Sequence, residues 1–417
     1  MGGPAQESEE DFGSLVERAR LRHPDELSDV VREYAAAAGF QDATIYLPDL
    51  QERQLRPLPV EDRQAEPPVN VDGTIIGRAF WLLEVEQGQV REGTRVFVPL
   101  LNGAERVGVL ALVVDVYDEL AARRVWRLAC LVALLVVTRA KHSDTTARLR
   151  RTREMSLSAE VQWQLLPPLT LGTDALVISG ALEPAYDVGG DVFDYGLSGS
   201  TAYLAIFDSM GHNLASGLAA SIAIASWRHS RRQMKDLDAA AAEIDHAVFQ
   251  QFDAQRYVTG VLATLDIDSG LFRWVIRGHP APLLLRGGKW VKTLECHHDP
   301  PMGLGLPASG SAGTEELEPE DRVLLYSDGV VDTRNAAKEF FGLERFTDFI
   351  LRQEADGLPA PETLRRLMHG LLDYHEERLD DDASVLLVNW RGRHGAASQR
   401  IGGPLVSLYQ RQEPRCS

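Results

Sequence analysis

The sequence predicts two folded domains of different class: an α/β unit, then an α+β unit in which an antiparallel β-sandwich is flanked by helices. Three observations predict it. A length of 417 residues, at about 150 residues per domain, suits two or three domains. Short apolar runs are separated by turn sequences such as Asn102-Gly103, Asp268-Ser269-Gly270 and Gly287-Gly288, the mark of antiparallel hairpins. Helical stretches interrupt the later strands in pairs, as they do when helices cover a sandwich.

In the first domain, residues 12–142, an amphipathic helix opens at Asp25-Glu26-Leu27 and runs past Tyr34. A strand over 43–47 enters the turn-prone Pro48-Asp49, and a polar loop with Pro57, Pro59, Pro67 and Pro68 follows. After the segment Gly73-Thr74-Ile75-Ile76-Gly77-Arg78-Ala79-Phe80 come two strands, 95–100 and 107–114. Asn102-Gly103 joins them, because Asn-Gly tolerates the positive φ that a short hairpin requires. A helix over 118–141 closes the unit. Residues 143–166 then read as one connecting helix. Leu149, Ser156 and Trp163 share one heptad position, Thr152, Ala159 and Leu166 the other, and Pro167-Pro168 ends it.

The second domain spans 167–392. Strands are expected at 177–182, 201–207, 260–266, 271–276, 283–286, 322–326 and 384–390, with helices at 214–233 and 237–252 and a helical region at 343–379. Residues 1–11 and 393–417 lack periodicity and are expected to be disordered.

Composition narrows the function. The net charge of −18 argues against sequence-independent nucleic-acid binding and disfavours an anionic membrane surface, since both need clustered Lys and Arg. Cys130, Cys296 and Cys416 form no CxxC or paired spacing, so neither a disulfide framework nor a cysteine zinc site is expected, and a reducing cytoplasm is the expected location. The acidic start carries no basic and then apolar signal pattern. The most apolar run, 128–137, is about half of the ~20 residues that a membrane span needs, and reads as a buried helix.

Four aspartates carry the chemistry. Asp208 follows the apolar run 203–207, Asp328 follows 323–327, Asp381 precedes the strand at Ser384, and Asp191 follows Gly189-Gly190. Taken singly, each reads first as a turn or cap residue. As a set at strand mouths they would repel one another, and a cation relieves that. Hard carboxylate oxygens without a His/Cys cluster favour Mg²⁺ or Mn²⁺ over Zn²⁺.

Five segments, Val188-Gly189-Gly190-Asp191-Val192-Phe193-Asp194, Phe207-Asp208-Ser209-Met210-Gly211-His212, Gly278-His279-Pro280-Ala281-Pro282-Leu283, Tyr326-Ser327-Asp328-Gly329-Val330-Val331-Asp332 and Asp381-Asp382-Ala383-Ser384, give this domain its most specific signal. In their order it resembles the SpoIIE-like branch of the PPM metal-dependent serine/threonine protein phosphatases. The resemblance implies the PPM fold and two divalent cations, Mn²⁺ or Mg²⁺. Asp191, Asp208, Asp328, Asp381 and the backbone carbonyl of Ser209 would be their ligands, acting catalytically through an activated water. Asp194, His212, Asp332 and Asp382 would orient ligands or waters; a turn histidine is the alternative for His212, and a brace for the proline-rich turn the expected role of His279. The substrate implied is a phosphorylated regulatory protein, a STAS-type anti-sigma-factor antagonist. The sequence departs from the family at Ser209 and Asn213, where Gly is usual, and at Ile276-Arg277, where Asn-Ala is frequent. The element order of residues 12–142 resembles a GAF domain, which implies a regulatory unit with a possible small-molecule ligand, and a homodimer formed with the connecting helix. The competing reading is a catalytically silent, phosphatase-like scaffold that binds a signalling partner.

Overall fold

The computed structural model describes residues 14–61, 66–186, 189–211, 214–375, 379 and 381–392. Residues 1–11 and 393–417, both expected to be disordered, lie outside the described residues. The chain divides after Thr152 into two compact units.

The first unit is built on one antiparallel sheet. Its elements are α1 (residues 14–21), α2 (Leu27–Ala37), β1 (Gln41–Pro48), β2 (Gln54–Pro57), β3 (Val69–Asn70), α3 (Ile75–Leu82), β4 (Glu86–Val90), β5 (Gly93–Asn102), β6 (Glu105–Val114) and α4 (Glu119–Ala140). The strand order is β3-β2-β1-β6-β5-β4. Successive side chains alternate between faces. Ile45, Leu47, Leu110 and Leu112 join one core with α2 and α4, while Tyr46, Val109 and Ala111 join a second with Ile76, Ala79 and Phe80 of α3. Both faces are covered, so β6 reads as a continuous apolar run. Side-chain caps start the helices: Thr74 accepts from the Gly77 amide and Asp118 from that of Ala121.

The segment 143–166, expected as one connecting helix, is two short helices, α5 (Asp144–Leu149) and α6 (Leu157–Leu165). The physical reason lies in Ser156, an extended N-cap whose hydroxyl accepts the Ala159 amide at 3.1 Å and starts a new helix there. The heptad therefore has no continuous helix to run along. Ala159 is buried instead, and the Trp163 indole donates to the Ala185 carbonyl at 2.7 Å.

The second unit continues with β7 (Thr170–Gly172), β8 (Leu176–Glu183), β9 (Val192–Ser198), β10 (Thr201–Ser209), α7 (Leu214–Arg232), α8 (Leu237–Phe252), β11 (Val258–Asp266), β12 (Leu271–Arg277), β13 (Leu283–Arg286), β14 (Lys289–Thr293), β15 (His298–Asp299), β16 (Gly313–Glu316), β17 (Asp321–Tyr326), α9 (Asp328–Asp332), α10 (Gly342–Ala355), α11 (Ala360–Tyr374) and β18 (Ala383–Trp390). Every strand expected from the sequence is present. One sheet runs β15-β12-β11-β10-β9 with β16 beside β12, the other β14-β13-β17-β18-β8-β7. The two face each other across a core of Ile178, Phe193, Leu204, Ile206, Val261, Phe272, Ile276, Val323, Leu325 and Leu386. Each such side chain contributes about 1.5–3 kcal/mol of burial. Outer faces are covered by α7 and α8 on the first sheet and by α10 and α11 on the second. The result is a four-layer sandwich, helices outside and sheets within.

Candidate metal centre

Antiparallel pairing decides where the aspartates go. In the first sheet β9 starts where β10 ends, with Val192 opposite Phe207. Asp191 and Asp208 therefore share one edge. In the second sheet β18 starts where β17 ends, with Val385 opposite Tyr326, which brings Asp381 beside Asp328. Each sheet thus delivers two carboxylates, and contacts between the sheets put the pairs together.

Those contacts are specific. Asp382 Oδ2 accepts the backbone amides of Gly189 at 2.7 Å, Gly190 at 2.6 Å and Asp191 at 3.2 Å. The Ser384 hydroxyl donates to Asp191 Oδ2 at 2.7 Å, and Ser327 Oγ accepts the Ser384 amide at 3.0 Å. Two glycines make the approach possible. A Cβ on Gly190 would stand 2.4 Å from the Ser209 carbonyl oxygen, and one on Gly329 would stand 1.9 Å from that of Asp382. The Gly before Asp191 and the Gly after Asp328 are thus steric requirements of the site.

The electrostatics are those of crowded carboxylates. Burial, then Asp208 and Asp382, hold the Asp191 carboxyl well above its ordinary range, although the Ser327 and Ser384 hydroxyls pull the other way. Asp208 is pushed up to about 7 by burial and by Asp328, Asp381 and Asp382. Asp328 is raised by partial desolvation, Asp381 and Asp332. It keeps contact with solvent, as does Asp381, so these two line the mouth while Asp191 and Asp382 lie inside.

These residues fit hard divalent cations, because the donor set is all oxygen and its mutual repulsion falls when a cation enters. Among the described residues no three His, Cys, Asp or Glu side chains close on a single ion. Mg²⁺-type ions keep several waters, so one or two carboxylates per ion suffice. Asp191, Asp208, Asp328 and Asp381 would hold them, with the Ser209 carbonyl, packed against Gly190, as a further oxygen.

The remaining expected residues separate. Asp332 raises Asp328 from the last turn of α9, and Asp382 positions Asp191 through three amides. His212 lies outside the described residues. Asp194, expected to orient ligands or waters, instead accepts from Arg228 Nε at 2.9 Å and Nη2 at 2.7 Å, and its other oxygen is 3.3 Å from Arg231. Both arginines lie on α7, and alternation along β9 turns Asp194 toward them. Ile276 packs in the sandwich core, and Arg277 is buried with its Nε on the Pro300 carbonyl at 2.8 Å.

Two supporting residues, Gln162 and Thr259, left no mark in the sequence reading, and a third, His279, was expected only as a brace for the proline-rich turn. Gln162 of α6, fully buried, donates Nε2 to the Asp191 carbonyl at 3.1 Å. Thr259 donates to the Asp208 carbonyl at 3.3 Å, and His279 Nδ1 lies 3.0 Å from the same hydroxyl. His279 thus braces Asp208 through Thr259, and its burial lowers its pKa to about 4. Gln162 sits 29 residues from Asp191, too far for spacing to reveal.

Comparison with known proteins finds similarity over part of the chain. Residues 198–391 match the family model described as Stage II sporulation protein E. Phosphoserine phosphatase RsbP of Bacillus subtilis is 26% identical over 195 residues, covering 44% of this chain and 47% of the relative. Phosphoserine phosphatase RsbU of the same organism is 23% identical over 240 residues, covering 56% and 69%. Protein IcfG of Synechocystis is 22% identical over 226 residues, and the chain spans 35% of its length. Among solved structures, the SiaA-PP2C domain of Pseudomonas aeruginosa is similar at 20% identity and a TM-score of 0.47, covering 56% of this chain and 94% of that one. The strands that bring Asp208, Asp328 and Asp381 together lie in the span that matches the SpoIIE family model.

Proposed function

We propose that the chain is a metal-dependent protein phosphatase acting on phosphoserine or phosphothreonine in a regulatory protein. The observation that carries it is the meeting of four aspartates from two sheets, with Asp208 pushed up to about 7. Divalent cations held there would supply the charge that acidifies a water and offsets the phosphoryl oxygens. The chain's own residues do the positioning. Asp382 and Gln162 fix the Asp191 backbone, Thr259 and His279 fix Asp208, and Ser384 orients the Asp191 carboxylate. Substrate identity rests on similarity. The names of RsbP and RsbU support a phosphoserine substrate, and the family resemblance supports a STAS-type phosphoprotein. We infer further that the first unit regulates this activity as a GAF-like module. Among the described residues no helix is long and apolar enough to cross a membrane.

The test is hydrolysis of p-nitrophenyl phosphate. Activity should depend on Mn²⁺ or Mg²⁺ and fall at least about a hundredfold, about 3 kcal/mol of barrier, in Asp208→Asn and in Asp328→Asn. A robust rate in excess chelator would sink the reading. Absence of Mn²⁺ binding in calorimetry would favour the silent scaffold.

A further inference from the structure

Arginines around the second unit are largely engaged. Arg228 and Arg231 serve Asp194, Arg277 holds the Pro300 carbonyl, and the Arg334 guanidinium lies 4.2 Å over the Phe340 ring. Arg256 differs. Ser209 pairs with Val258, and the Met210 amide donates to the Tyr257 carbonyl at 3.2 Å. The chain at Arg256 therefore runs beside Met210 and Gly211, just past the strand end that carries Asp208. Its Nη1 donates to the Met210 carbonyl at 2.8 Å. On its other side the backbone is close-packed, since a Cβ on Gly303 would come 2.9 Å from the Arg256 carbonyl oxygen. A guanidinium has five N–H donors. Among the described residues this one makes one hydrogen bond and no ion pair, in a chain of net charge −18.

We propose that Arg256 forms the outer wall of a phosphate subsite, its free N–H groups taking non-bridging oxygens of the phosphoryl group presented at the Asp208 mouth. This rests on the phosphatase reading and adds the residue that recognises the anion. A phosphoryl dianion approaching Asp208, Asp328 and Asp381 meets like charge. A fixed guanidinium offsets part of that repulsion, and its planar fork matches two phosphate oxygens as an ammonium cannot. Anchorage at Met210 pre-orders the side chain, so less rotamer freedom is lost when the anion arrives.

The probe is inorganic phosphate, measured on the full chain loaded with Mn²⁺. As a competitive inhibitor of p-nitrophenyl phosphate hydrolysis, it should bind about tenfold or more weakly to Arg256→Ala, with Arg256→Lys between. Mn²⁺ affinity by calorimetry should stay within about twofold in both, and Arg334→Ala, which removes the same charge elsewhere in the second unit, should leave the inhibition constant unchanged. An unaltered constant in Arg256→Ala overturns the subsite. So does an equal loss in Arg334→Ala, which would assign the effect to net charge, and so does loss of Mn²⁺ binding, which would make Arg256 a brace for the Met210 loop. Direct titration of phosphate by calorimetry separates the two proposals. Phosphate bound through Arg256 by a protein that hydrolyses nothing would overturn the phosphatase reading and leave the subsite standing.

Discussion

Asp382 occupies a position where a carboxylate is costly, buried and close to others of its kind, and its three backbone amides are what make it tolerable there. They also define its job, which is to hold the Gly189–Asp191 turn against the end of β10. Asp382→Ala would orphan three buried donors and let Asp191 drift. Mn²⁺ affinity in that variant should fall about 10–100-fold, the range for residues that orient metal ligands. Asp382→Asn keeps an acceptor oxygen in place and should lose distinctly less; calorimetric titration of both variants checks the order. Asp194 makes the opposite point. It stands three residues after Asp191 in a motif rich in acid, yet its partners are arginines of α7. Motif membership did not say which way the side chain faces; strand alternation did.

At the scale of elements, the local chemistry was largely legible. Hairpin turns at Asn102-Gly103, Asp268–Gly270 and Gly287-Gly288 were readable because turn residues act through their own φ and ψ. The connecting segment was not, because heptad spacing says nothing about whether one helix persists, and Ser156 ends the matter by capping a new one. Weak or short strands, β9 and β14 among them, also escaped. In β9, Asp194 and Gly196 interrupt the apolar pattern, and both are there for the arginines: a Cβ on Gly196 would meet Arg231 at 2.0 Å. Gly180 in β8 is a second case, since a Cβ there would lie 2.3 Å from the Phe193 ring across the sandwich. Gly180→Ala should therefore destabilise the second unit by about 1–3 kcal/mol through overpacking. Urea unfolding of the full chain, followed through a probe in that unit, measures it, and an unchanged midpoint would contradict the close approach.

For the whole molecule, the titrating groups make the sign of the pH dependence a report on cation occupancy. Without cation, the folded state raises Asp191, Asp328 and Asp382, and Asp208 to about 7, so folding takes up protons and stability is lost as pH rises above the ordinary carboxylate range. His279 acts oppositely. Its pKa falls to about 4 on folding, so the stability it contributes is present above its unfolded value near 6.5 and is lost as pH falls toward 4. In chelator the carboxylates outnumber it, and Tm should fall between pH 5 and pH 7.5 by about 3 °C or more, at about 2–4 °C per kcal/mol. With saturating Mn²⁺ the carboxylates are held ionised and the trend should reverse; thermal unfolding in both conditions reads the sign directly. By itself the sequence determined the division into two units and the hairpins, and it singled out Asp191, Asp208, Asp328 and Asp381 as a candidate set, because turn chemistry, periodicity and ordered motifs are properties of neighbours along the chain. Only the tertiary structure decided that Asp382 clamps Asp191, that Asp194 turns away, and that Gln162, Thr259 and His279 support the site. Those roles depend on which strands pair and which face each side chain takes, and residues far apart in the chain acquire them only when the two sheets close on one another.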